Sequence, residues 1–104
     1  MTLKTKLLLR FGWYRIWSDK WIEQGECGAI ASGRNGNVFY RLFIKTFATA
    51  NITVVAGIYL INSDMGAYSV RITSLYSSSV HYYIFLNNGV TSNLPAINYV
   101  ASGY

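Results

Sequence analysis

Apolar residues return at every second position in three separate runs of this chain, and that period decides what it can fold into. Ile52, Val54, Ala56, Ile58 and Leu60 share one side, while Thr53, Val55, Gly57 and Tyr59 share the other. Tyr68, Val70 and Ile72 alternate with Ser69, Arg71 and Thr73; Val80, Tyr82, Ile84 and Leu86 alternate with His81, Tyr83 and Phe85. Side chains of a strand point alternately to its two faces, so this period predicts half-buried strands. Turn formers fill the gaps, as ASGRNGN at 31–37, NSDMG at 62–66, SSS at 77–79 and NNGVTSN at 87–93. They tolerate positive φ or bond back to local backbone. The pattern predicts an all-β chain, a small antiparallel β-sandwich of about seven strands. These are expected near 12–17, 21–26, 38–46, 51–61, 68–74, 80–86 and 96–102.

All three tryptophans lie four apart, at Trp13, Trp17 and Trp21. That spacing suits one face of a helix or one face of a strand. A helix would carry Ser18 and Asp19 in its interior, where both compete with the backbone for hydrogen bonds. Ser18-Asp19-Lys20 reads instead as the turn of a hairpin. A two-residue loop would pair Trp17 with Ile22 and place Trp21 opposite to Trp13. A three-residue loop pairs Trp17 with Trp21, Arg15 with Glu23 and Ile16 with Ile22, and puts the three indoles on one face. The second register is favoured because it sets an ion pair and an apolar pair directly across the strands. Its cost falls on Lys20, at a position that usually takes glycine in the left-handed conformation.

Composition narrows the chemistry. The chain of 104 residues carries only 12% charged residues, about half the usual fraction of ~25%. Ser, Thr and Asn, or a partner, must cover the remaining surface, which hints at oligomerisation. The net charge is +5, but the basic residues are scattered through the first half with no basic stripe, so nucleic acid is not the expected partner. Cys27 is the only cysteine and His81 the only histidine, which rules out an intramolecular disulfide and a four-ligand Cys/His zinc site. Beside Gly28, Cys27 reads as a small buried hydrophobe. His81 is expected on the face of its strand opposite to the apolar set. The carboxylates are Asp19, Glu23, Glu26 and Asp64. A glycosidase needs two of them flanking a sugar bond. Glu23 is more simply the partner of Arg15, and neither a nucleophile elbow nor a phosphate-cradling glycine loop is present. No catalytic residue, metal or cofactor is expected. No apolar run reaches the ~18 residues of a membrane span. The opening MTLKTKLLLR has too short an apolar core for a signal peptide. Residues 1–10 are expected to form a basic leader, and 11–104 a single domain.

The stretch Trp13-Tyr14-Arg15-Ile16-Trp17-Ser18-Asp19, followed after Lys20 by Trp21-Ile22-Glu23-Gln24-Gly25, resembles the opening of the C-terminal domain of many bacteriophage and prophage tail fibre proteins. Phe47-Ala48-Thr49-Ala50-Asn51-Ile52-Thr53-Val54 and the closing Tyr99-Val100-Ala101-Ser102-Gly103-Tyr104 are similar to that family's middle and terminal stretches. The chain departs from the pattern at Lys20, where the family has the turn glycine, at Glu26-Cys27, where a small residue is usual, and at Tyr99, where it has tryptophan. The resemblance implies a β-sandwich that caps a trimeric fibre at the tip of the virion and recognises a bacterial surface glycan or outer-membrane protein, without catalysis or membrane insertion. It makes residues 1–10 the junction with a fibre shaft. The alternatives are a structural cap that holds the trimer in register and a polysaccharide-degrading enzyme.

With seven alternating strands entered from the shaft, the loops at 18–20, 47–50 and 75–79 and Tyr104 fall at the far end. The loops at 27–37, 62–67 and 87–95 fall at the shaft end. Asp19, Lys20, Tyr76, Ser77 and Ser78 are therefore the expected receptor-binding residues. Trp13, Trp17, Trp21 and Tyr104 are expected in core or trimer packing.

Overall fold

The computed structural model describes residues 2–8, 12–59, 69–86, 89–90 and 96–104. The strands are β1 (Leu3–Leu8), β2 (Gly12–Trp17), β3 (Ile22–Ala29), β4 (Gly33–Asn35), β5 (Val38–Leu42), β6 (Ile52–Tyr59), β7 (Ser69–Tyr76), β8 (Ser79–Leu86), β9 (Gly89–Val90) and β10 (Ala96–Gly103). One sheet has the order β1-β2-β3-β10-β6 and the other β4-β5-β8-β7, with β9 also paired to β8; every pairing is antiparallel. The chain is an all-β sandwich. The seven expected strands are present, and β1, β4 and β9 are added to them.

The core lies between the sheets, where the inward positions of the alternating runs meet. Ile22, Ile52, Ile97, Tyr99 and Ala101 from the first sheet pack against Phe39, Val80, Tyr82 and Ile84 from the second. The register shifts between Ile97 and Tyr99 opposite β3, so β3 bulges at Cys27-Gly28, and Gly28 takes φ 70°. Glu26 faces inward and Cys27 faces out. The expected burial of Cys27 is thus corrected: it is exposed.

Two further expectations change. The strand expected over 38–46 stops at Leu42, because 43–51 runs irregularly across the end of the sandwich. Phe43 and Phe47 turn into the core there, with ring centroids 5.2 Å apart. Residues 1–10, expected to stand apart, contribute β1, which pairs with β2 along its length. Its alternating lysines suit an exposed edge strand, where charge discourages pairing with another chain. The loop at 62–67, with Asp64, and most of 87–95 lie outside the described residues.

Candidate functional site

The hairpin of β2 and β3 has the three-residue loop. Arg15 pairs with Glu23 and Ile16 with Ile22, and the Trp17 N–H donates to the Trp21 carbonyl at 2.9 Å. Lys20 sits at φ 74°, the left-handed conformation the register demands. A non-glycine residue there costs on the order of 1 kcal/mol. Asp19 offsets part of that cost, since its Oδ1 accepts the Trp21 N–H at 3.2 Å. Its other oxygen, Oδ2, accepts the Tyr104 hydroxyl at 3.1 Å. That bond raises the Tyr104 phenol above its ordinary pKa, because it favours the protonated form.

The same end gathers the other expected segments. The Ala48 N–H donates to the Tyr104 carbonyl, the Phe47 N–H to Ser77 and the Phe43 N–H to Ser78, at 2.8, 2.8 and 2.9 Å. The 18–20 turn, the 43–51 segment, the 77–78 turn and Tyr104 therefore form one continuous surface. The Gln24 side chain fixes this segment from inside. It is fully buried, its Nε2 donates to the Lys45 carbonyl at 2.7 Å, and its Oε1 accepts the Lys45 N–H at 2.9 Å. A side-chain amide thus does what a neighbouring strand would do for one residue of an irregular segment.

Of the expected receptor residues, Asp19, Lys20 and Ser78 are exposed. Asp19 is committed to the turn and to Tyr104, and Ser77 is half-buried. Tyr76 is 51% exposed, and its ring rests 4.7 Å from His81, which in turn stacks at 5.4 Å on Tyr40. His81 lies on the outer face of its sheet, as its alternation predicts.

The three tryptophans lie on the outer face of the first sheet, half-buried rather than in the core. Each has a partner within the chain. Trp13 lies over Gly25, where an added Cβ would meet the indole at 3.1 Å. Trp17 Nε1 donates to Glu23 Oε1 at 2.7 Å. Trp21 meets Tyr104 edge to face, with centroids 5.0 Å apart.

Sequence reasoning missed the polar cluster between the sheets. Glu26 accepts a fork of two bonds from the Arg41 guanidinium, one of them at 3.1 Å, and a third bond from the Tyr99 hydroxyl. Arg41 also donates to the Ile30 carbonyl at 2.8 Å. The bonds to Glu26 raise the Arg41 pKa, against the opposing effect of burial. Burial first, and then the bond to Glu26, drives the Tyr99 phenol far above its ordinary range. These partners lie 15 and 73 residues from Glu26, and no local pattern signals them. Glu26 points between the sheets while Glu23 points outward to Arg15 and Trp17. The two acids therefore do not face a common sugar bond.

Compared with known protein families, curated proteins and solved structures, the chain gives no match.

Proposed function

We propose that this chain is the receptor-binding tip domain of a bacteriophage or prophage tail fibre. It sits in the virion as a homotrimer and attaches to a bacterial surface glycan or outer-membrane protein by adhesion, without catalysis. The observation that carries this reading is the end surface itself. Four chain segments meet there, pinned by backbone bonds and by Gln24, and they present Lys20, Tyr76 and Ser78 to solvent. A rigid scaffold that displays mobile polar and aromatic side chains is suited to recognition at low entropic cost. The resemblance of residues 13–25 to tail fibre domains supplies the biological setting.

Trimeric assembly follows from the same reading, since three weak sites on one tip raise avidity far above single-site affinity. Val55 and Val100 are direct cross-strand partners on the outer face of the first sheet, 71% and 51% exposed. They form the strip that a neighbouring subunit would cover.

One observation favours the structural-cap reading as a second possibility. The Ser18 N–H donates to the Thr2 carbonyl at 2.7 Å, and the Thr2 N–H donates to Ser18 Oγ at 3.1 Å. The β1 strand therefore begins beside the 18–20 turn, not at the opposite end. A shaft joined through residue 1 would approach Lys20 and leave Tyr76 and Ser78 as the open part of the surface.

The test is adsorption of the fluorescently labelled chain to a panel of bacterial strains, with its solution mass read by light scattering. The receptor reading expects a trimer that binds some strains and loses binding with Tyr76→Ala. A trimer that binds none supports the cap. A monomer with both valines exposed and no adsorption sinks the fibre-tip reading.

A further inference from the structure

A second surface lies outside the end cluster, on the outer face of the first sheet between β1 and β2. Leu3, Lys6, Trp13 and Arg15 line an open groove of about 370 Å³. Its origin is a register shift in β1. Strict alternation would put Leu3 and Lys6 on opposite faces, but the β1–β2 pairing slips between Leu3 and Thr5. Leu3 then stands opposite Trp17 and Lys6 opposite Arg15, so both reach the indole-bearing face.

The chemistry of the lining is specific. Trp13 lies against Gly25, where an added Cβ would come within 2.6 Å of the Tyr99 carbonyl and 3.1 Å of the indole, and so offers an aromatic wall. The Arg15 guanidinium lies 5.0 Å from the Trp13 ring centroid. Its ion pair with Glu23 runs from Nε to Oε1 at 3.5 Å, and that same carboxylate oxygen accepts the Trp17 indole N–H. Glu23 is thereby turned toward Trp17. The two terminal nitrogens of Arg15 have no acceptor among the described residues, nor has the exposed Lys6 ammonium. Lys6, Arg15 and Glu23 leave one positive charge in excess at a groove with an aromatic wall and an aliphatic edge. The chain's net charge of +5 adds an attractive field for anions.

We propose that this groove binds a saccharide bearing a carboxylate. The sugar ring would lie against Leu3 and the part of the Trp13 ring that the Arg15 guanidinium leaves open, and its carboxylate would accept bonds from Lys6 and the terminal nitrogens of Arg15. The inference deepens the receptor-binding reading and rests on it only for the biological source of the sugar. A free anion would satisfy the cations but leave the indole wall unused. A neutral sugar would use the wall but leave the cations unpaired.

The test titrates the full chain, at low salt, with trigalacturonate, neutral galactotriose and inorganic phosphate. The readout is the indole N–H resonance of Trp13, assigned by its loss in Trp13→Phe. Trigalacturonate is expected to shift it. Galactotriose and phosphate are expected to leave it in place at the same concentrations. Lys6→Gln, on an exposed edge strand and without a partner to lose among the described residues, is expected to weaken the trigalacturonate complex about twofold to fivefold, the range for one exposed charge pair. Arg15→Gln is the second variant, with its fold checked by the dispersion of the remaining resonances. No shift with trigalacturonate, an equal shift with galactotriose, or unchanged affinity in both variants overturns the proposal. Cell adsorption is measured alongside. Trigalacturonate binding by a chain that adsorbs to no strain keeps the groove and refutes the receptor-binding reading. Adsorption of the wild type without any trigalacturonate binding does the reverse.

Discussion

Replacing Gln24 by alanine tests whether the end surface is held from within. The Gln24 amide makes two hydrogen bonds to the backbone of Lys45, at 2.7 and 2.9 Å, from a fully buried position. Each such bond contributes about 1 kcal/mol net, so their loss costs about 2 kcal/mol. The space vacated by the side chain adds about 1 kcal/mol, because neighbouring atoms relax only partly into it. The expected loss is therefore about 3 kcal/mol, which lowers the melting temperature by about 12–24 °C in a domain of this size. The assay is urea denaturation at fixed protomer concentration, which matters if the chain associates. It is paired with amide exchange at Lys45, whose N–H loses its acceptor. Gln24→Glu keeps that acceptor and turns the donor into an anion facing the Lys45 carbonyl. It should restore Lys45 protection in part while remaining destabilised. An unchanged m-value with a loss below about 0.5 kcal/mol in Gln24→Ala would refute the claim that this amide stands in for a strand.

Three other outcomes follow from single side chains. Tyr82 is fully buried, and its hydroxyl has no partner, alone in this among the described residues; Tyr82→Phe is expected to leave stability unchanged or raise it by up to about 1 kcal/mol in urea denaturation, since it removes a desolvated group without breaking a bond. Lys20→Gly relieves a left-handed residue at φ 74° and is expected to stabilise by about 0.5–1 kcal/mol, less what the unfolded chain gains in freedom. Burial pushes the Tyr82 phenol from 10.0 up to about 12, and burial also raises Tyr99. Above pH 10 the folded state then holds protons that the unfolded state releases, so stability is full below pH 10 and falls as the pH climbs toward 12; alkaline unfolding monitored by tyrosinate absorbance checks this, and Tyr82→Phe should flatten the fall.

The parts of the fold that were legible in the sequence are those written in short-range pattern. The period of two located β6, β7 and β8 because each run has one buried face, and burial enforces alternation. The hairpin register was legible because Arg15, Glu23, Ile16 and Ile22 match only when three residues form the loop. The strand β4 escaped this reading although a signal was present. Asn35 pairs with Val38 around Gly36-Asn37, and Gly36 has φ 63°, the mark of a two-residue hairpin inside what read as a plain turn cluster. The strand β1 escaped because Leu-Lys-Thr-Lys-Leu resembles a basic leader in composition as much as an edge strand in pattern. Cys27 was misplaced because a bulge breaks the alternation, and nothing near it announces one. The Glu26–Arg41–Tyr99 cluster was illegible in principle, since it depends on which strands the two sheets bring together.

In the stretch 13–25 that resembles tail fibre domains, most side chains already have partners within the chain. Trp17 bonds Glu23, Glu23 also meets Arg15, Gln24 holds Lys45, Gly25 makes room for Trp13, and Asp19 joins the turn to Tyr104. Trp21 completes the set by packing on the same Tyr104 ring. Eight positions of a thirteen-residue stretch thus fix one hairpin, one crossing segment and the chain's last residue, and all of that is internal structure. A motif so employed specifies the sandwich and its end surface, and it says little about what that surface touches. Recognition must draw on side chains with hydrogen-bonding or stacking capacity left over. At the end these are Lys20, Tyr76 and Ser78, and in the groove they are Lys6 and the terminal nitrogens of Arg15, which have no acceptor among the described residues. Lys20, Lys6, Tyr76 and Ser78 can change without disturbing the bonds that hold the hairpin. On the proposed fibre-tip reading, differences in host range among chains that share the motif are expected to concentrate at those four positions.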